Sequence, residues 1–254
     1  MPSTRGGCTR SSDDVFVMST KRRGARRRTE DRTTRSEDDS AARGKAFVIP
    51  KELVWASYKR VKANRGSAGC DGQTMKHFDE NRDRNLYKIW NRLSSGSYHP
   101  PPVLKQEIPK ANGSIRVLGI PTVSDRIAQG AVKLLLEREL DGMFHPDSYG
   151  YRPNRSAHDA LEVTRQRCWR YAWVVEVDIK GFFDHVRHDL ILRALAANGP
   201  PAWVMLFVRR WLEAPMVDRN GEVQERSEGT PQGGVMTPPT QGVTAVRIAV
   251  SGWN

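Results

Sequence analysis

Apolar positions recur at helical spacing in some stretches of the chain and at alternate positions in others, and the two periods divide it into predicted elements. In "IPKELVWASYKRVKANRG", Val54, Tyr58 and Val61 follow i, i+4, i+7 spacing, which predicts a helix entered through Pro50 with one face on a core. "NLYKIWNRLSSGSYHPPP" predicts a second helix, stopped by Gly96 and three prolines. Two strand-like runs flank "KANG" in "VLKQEIPKANGSIRVLGIPT", so a β-hairpin is expected there, carrying Lys105, Lys110 and Arg116. Thr122 and Asp125 have the spacing of an N-terminal cap ahead of the amphipathic stretch "RIAQGAVKLLLEREL".

Further along, "FHPDSYGYRPNRSAHDAL" reads as a loop of aromatic and basic residues leading into another helix. In "VVEVDIKGFFDH", period-2 alternation predicts a strand with Val174, Glu176 and Asp178 on one face and Val175, Val177 and Ile179 on the other. "KGFFD" then turns into a helix that Asp184 is placed to cap. "HDLILRALAANGPP" predicts a helix with Gly199 past its end, and "AWVMLFVRRWL" one more. "GSAGCDG", from Gly66 on, is a loop whose glycines suit either close approach to a ligand or an ordinary flexible turn. No internal repeat is present.

Composition sharpens this picture at the ends. Residues 1–45 are rich in Arg, Ser, Thr and acidic residues, and "KRRGARRRTEDRTTRSEDDS" within them is almost free of apolar ones, so they are expected to form a disordered basic tail. The whole chain of 254 residues holds 41 Lys+Arg against 29 Asp+Glu, a formal charge of +12, which favours a polyanionic partner such as nucleic acid. Cys8, Cys70 and Cys168 are odd in number and widely spaced, which argues against a disulfide framework or a zinc knuckle and fits a cytoplasmic setting. His185 and His188 have no third ligand nearby for zinc. No apolar run approaches the length of a membrane span.

Asp178 is the first candidate for chemistry. A carboxylate near the end of an apolar strand is either a solvent-facing strand-end residue or a ligand for a hard divalent cation such as magnesium. Nucleotidyl transfer requires such carboxylates, because metal ions activate the attacking hydroxyl and stabilise the transition-state charge.

At these residues the chain resembles bacterial group II intron reverse transcriptases. "VVEVDIKGFFDHVRHDLILRAL" is similar to the catalytic strand block of that family, "EGTPQGGVMTP" to its nucleotide-pocket block and "IPKANGSIRVLGIPTVSDRIAQ" to its fingers hairpin and helix. "HPDSYGYRPNRSAHDAL" and "NRGSAGCDGQT" are similar to two further blocks, and all five stand in family order. The resemblance implies an α+β, right-hand polymerase fold with the fingers and an incomplete palm over residues 46–238, no thumb, and a divergent tail at 239–254. It implies RNA-directed DNA polymerase chemistry with Mg2+, intron RNA, an RNA template with DNA primer and deoxynucleoside triphosphates as partners. Asp178 then holds metal, with the Ile179 carbonyl as a further ligand, and Lys110 and Arg116 hold the triphosphate. Phe183 lies against the sugar 2′ position, its rival reading being plain core, and Gln232 and Gly233 line the nucleotide pocket.

One block of the family pattern is missing. The family carries further catalytic aspartates in a Y-x-D-D block downstream of "TPQGG", whereas here no Asp or Glu follows Glu228. The alternation of Thr244, Val246, Ile248 and Val250 is strand-like instead of helical. The expectation is a C-terminally truncated, inactive polymerase, with a frameshift as its simplest origin. The competing expectations are a non-catalytic, maturase-like protein that binds intron RNA, and a non-functional remnant.

Overall fold

The computed structural model describes residues 45–109, 113, 115–179 and 181–231. Residues 1–44 of the basic tail, Lys110, Gln232, Gly233 and the alternating C-terminal segment lie outside these residues.

Helix α1 (Lys51–Ala63) begins behind Pro50, whose φ of −60° and ψ of 131° set the extended entry. It buries Leu53, Val54, Tyr58 and Val61 on one stripe, as the spacing requires. A short helix α2 (Met75–Glu80), capped by Thr74, leads into α3 (Arg82–Ser94), which buries Leu86, Ile89 and Leu93. Gly96 follows with φ +74°, a conformation that ends the helix at little steric cost.

The central element is α4 (Val123–Leu140), an amphipathic helix that buries Val123, Ile127, Ala128, Ala131, Val132, Leu134, Leu136 and Leu140 and leaves Arg138 and Glu139 exposed. The Thr122 hydroxyl accepts the Asp125 N–H, so the expected cap is formed. α4 meets α1 at Gly130, where a Cβ would stand 2.2 Å from Ser57 Oγ. That hydroxyl in turn donates to the Ile127 carbonyl at 2.7 Å. Two small residues therefore let the helix backbones approach, and the one polar side chain between them is satisfied.

The hairpin pairs β1 (Val103–Pro109) antiparallel with β2 (Ile115–Ile120), in a register running from Leu104 opposite Ile120 to Pro109 opposite Ile115. β1 also takes a parallel contact with β3 (Met216–Val217), which pairs antiparallel with β4 (Val223–Gln224), giving the order β2-β1-β3-β4. These two short strands were not anticipated from the sequence; two residues carry too little periodicity to be read.

Helix α5 (Ala157–Cys168) opens with a reciprocal Ser156–Asp159 capping box and buries none of its residues. A single turn, α6 (Phe182–His185), precedes α7 (His188–Ala196) and α8 (Ala202–Glu213). α8 contributes Trp203, Phe207 and Trp211 to an aromatic cluster with Phe47 and Tyr98. No helix of the described residues is long and apolar enough to cross a membrane.

Two expectations are corrected. Residues 174–179 form no strand; they are irregular and exposed, with Val175 at 85% and Val177 at 84%. Their β-branched composition suits a strand, but a strand exists only through ladder hydrogen bonds, and none of the described strands pairs with this run. Asp184 does not cap α6 either. Gly181, at φ +65°, holds the cap position, and Asp184 lies inside the turn.

Candidate functional site

Three of the segments singled out in the sequence converge on α6. The Gly229 N–H donates to the Val186 carbonyl and the Thr230 N–H to the Phe183 carbonyl, both at 2.8 Å. Arg187 and Glu228 form an antiparallel bridge just before. His188 Nε2 donates to the Gly229 carbonyl at 2.8 Å, so both sides of this peptide are tied down. At Gly229, φ is +73° and a Cβ would lie 2.5 Å from the Asp184 carbonyl oxygen. Only glycine satisfies both demands.

The hairpin joins from the other side through a second glycine. A Cβ on Gly119 of β2 would stand 2.5 Å from the Pro231 side chain and 2.9 Å from that of Val103. The absent side chain lets the "TP" of "EGTPQGG" seat against the sheet. The three segments, with Met216 of β3 and Gln224 of β4, line an open cavity of about 310 Å³ that also touches Val117, Phe183, Asp184 and Thr230.

Phe183 lines this cavity and packs edge-on against Phe182, ring centroids 6.2 Å apart; both rings are half-buried, so neither is plain core. Arg116 lies on β2 opposite Ile108, on the exposed part of the hairpin. Lys105 of the same hairpin is paired with Glu107 at 3.3 Å. Asp178 is exposed, and the Ile179 carbonyl accepts the Phe182 N–H at 3.3 Å, closing the turn into α6. Lys110, Gln232 and Gly233 fall outside the described residues.

The donor chemistry at Asp178 suits magnesium in kind, since a carboxylate is a hard oxygen ligand. Among the described residues, however, no group of three or more His, Cys, Asp or Glu stands ready to hold a metal ion. Asp178 is therefore one donor and not an assembled centre.

The cavity wall carries three acidic residues and one arginine among apolar and neutral ones. Asp184, Glu225 and Glu228 line it together with Arg226, whose guanidinium bonds the Ala214 carbonyl at 2.9 Å from Nη2 and 3.2 Å from Nε. It also reaches the Trp211 carbonyl at 3.4 Å. In this way a guanidinium closes the end of α8, and its burial lowers its pKa.

The glycines of "GSAGCDG" serve the fold. A Cβ on Gly66 would meet the Arg126 guanidinium and one on Gly69 the Thr122 backbone, so the loop packs on the N-terminus of α4. Arg126 donates to the Ser67 carbonyl from inside the loop.

The sequence reading missed the network behind the cap. Asp125 is fully buried and accepts from Tyr98, Trp211 and Gln129, each at 2.8 Å. Burial pushes its pKa up to about 6 against the pull of the three donors. The available signal was a capping-type acid directly beside the apolar positions Val123, Ile127 and Ala128, which are buried with it.

The chain can be set beside known proteins. A family model described as "Reverse transcriptase (RNA-dependent DNA polymerase)" matches residues 108–242. The group II intron-encoded protein LtrA of Lactococcus lactis subsp. cremoris is 31% identical over 195 residues, covering 76% of this chain and 32% of that protein. Protein YkfC of Escherichia coli K12 is 35% identical over 175 residues, covering 67% of this chain and 46% of that one. The putative COX1/OXI3 intron 1 protein of Saccharomyces cerevisiae is 28% identical over 187 residues, covering 74% of this chain and 22% of that one. This chain thus spans less than half the length of each of these three relatives. Among solved structures, a chain of the "Partial Cas6-RT-Cas1--Cas2 complex" superimposes with a TM-score of 0.51 at 23% identity, covering 80% of this chain and 34% of that one, a likeness of fold. Sequence blocks, hairpin-to-loop packing and these matches agree: the chain belongs to the reverse transcriptase (RNA-dependent DNA polymerase) family, among the group II intron reverse transcriptases and maturases.

Proposed function

We propose that this chain supplies the fingers and part of the palm, residues 46–238, of an RNA-directed DNA polymerase acting on intron RNA. The observation that carries this is the convergence of β2, α6 and the 228–231 loop around Phe183, in a cavity of about 310 Å³. In this reading Asp178 and the Ile179 carbonyl approach Mg2+, and Lys110 and Arg116 neutralise the triphosphate of an incoming deoxynucleotide. Phe183 excludes the ribose 2′-hydroxyl by size, and Gln232 with Gly233 completes the pocket. A second metal-binding carboxylate has to join Asp178 before two-metal transfer is possible.

The test is ternary-complex formation on an RNA template with an annealed DNA primer. The matched deoxynucleoside triphosphate should tighten the complex, Arg116→Ala should weaken that effect, and Phe183→Ala should let a ribonucleotide replace it. If the matched nucleotide leaves binding unchanged, the pocket assignment fails.

A second reading is favoured by the lone carboxylate: a maturase-like, non-catalytic protein bound to intron RNA. The charge of +12 supports it. Affinity for structured RNA should then fall steeply with salt, because binding releases counterions, and should survive Asp178→Asn. Salt-insensitive binding would count against it.

A further inference from the structure

The segment just after α5 opens an exposed apolar run that continues through Val174, Val175, Val177 and Ile179, and its first part carries the aromatic rings. Trp169, Tyr171 and Trp173 stand on alternate residues and are 85%, 61% and 89% exposed. Large rings normally bury most of their area, and three on one short segment mark a contact surface. None of the three stacks on another ring of the described residues.

Their setting is cationic. Between Glu162 and Glu176 the chain has no acidic residue, but it has Arg165, Arg167 and Arg170. Arg165 is held by Glu162 at 2.7 Å and Arg167 by Asp147 at 2.6 Å, while Arg170, between two of the rings, makes no salt bridge with a described residue. Exposed ion pairs of this kind are weak, so the guanidiniums can exchange a carboxylate for a phosphate.

Aromatic faces alternating with arginine match one ligand chemistry well. Bases stack on the rings and phosphates lie on the guanidiniums, with little demand on sequence. A protein partner fits less well, because the centre of a protein interface is depleted of charge. We infer that Trp169, Arg170, Tyr171 and Trp173 form a stacking platform for single-stranded RNA, separate from the cavity around Phe183. The inference rests on the reading of the chain as an RNA-binding protein.

The experiment uses the full 254-residue chain with two fluorescent probes, an unstructured uridine 12-mer and a 12-base-pair RNA duplex. Trp169→Ala and Trp173→Ala should each weaken 12-mer binding about tenfold, with duplex binding and the thermal transition unchanged. Trp173→Phe, which keeps a stacking face, should restore most of the loss. If the parent binds both probes and the alanine variants bind the 12-mer as well as the parent does, the platform is overturned and the RNA-binding reading stands. If the parent binds neither probe at low salt, both fall. If the alanine variants keep RNA binding but lose self-association in sedimentation, the face is a protein contact and the inference is wrong.

Discussion

The indole Nε1 of Trp211 donates to Oδ1 of Asp125 at 2.8 Å, joining the end of α8 to the first turn of α4 across 86 residues of chain. Tyr98 donates to the same oxygen and Gln129 to Oδ2, so one buried carboxylate ties three parts of the core together.

This makes stability depend on pH. Asp125 has its pKa raised to about 6, against an ordinary value of 3.8. Between those values the folded chain keeps a proton that the unfolded chain has released. Stability therefore falls as pH rises from about 4 to about 6 and is level above that, by an amount on the order of 3 kcal/mol. Asp125→Asn removes this slope, since an amide oxygen still accepts from Tyr98 and Trp211. Denaturant unfolding at several pH values checks both statements.

Gly229 is irreplaceable where it stands. Alanine there must adopt φ +73° and push aside the Asp184 carbonyl. Gly229→Ala should destabilise the chain by about 1–3 kcal/mol. Hydrogen exchange should show faster loss of the Gly229 and Thr230 amides, whose bonds to Val186 and Phe183 hold the loop on α6.

Arg226→Ala opens the end of α8. The guanidinium serves the Ala214 and Trp211 carbonyls from a half-buried position. Losing bonds to a charged donor costs about 1.5–3 kcal/mol, and thermal unfolding should show it. Arg226→Lys recovers only part, because an ammonium cannot reproduce the planar fork.

A polypeptide of these 254 residues is expected to give no magnesium-dependent primer extension on an RNA template. Asp178 is the candidate metal ligand, and the sequence holds no Asp or Glu after Glu228. Full-length complementary DNA that disappears with Asp178→Asn would overturn this.

What could be read along the chain was whatever short-range spacing encodes. Val54, Tyr58 and Val61 line one helix face because about 3.6 residues make a turn, and they are buried together. Thr122 caps α4 because its hydroxyl reaches an amide three residues on. The "KANG" turn and its flanking runs announced the hairpin. The block pattern also disclosed the family, and the family match supports it.

Illegible features depend on partners far away in the chain. Val174 to Ile179 carry a strand's alternation, yet the run is not a strand, because alternation supplies a face and not the neighbouring backbone that a ladder needs. Gly119 looks like any glycine in a strand until Pro231 is set against it. Asp125 looks like a cap residue, and only folding brings Tyr98 and Trp211 to its carboxylate. Thus the sequence by itself determined the longer helices, the hairpin, the basic charge and the family, since local spacing and composition carry them, but not the short helix Met75–Glu80. Tertiary structure alone decided which glycines must stay bare, where a buried acid is stabilised, and that β2, α6 and the 228–231 loop share one cavity. Those are matters of contact between distant residues, and no local period records them.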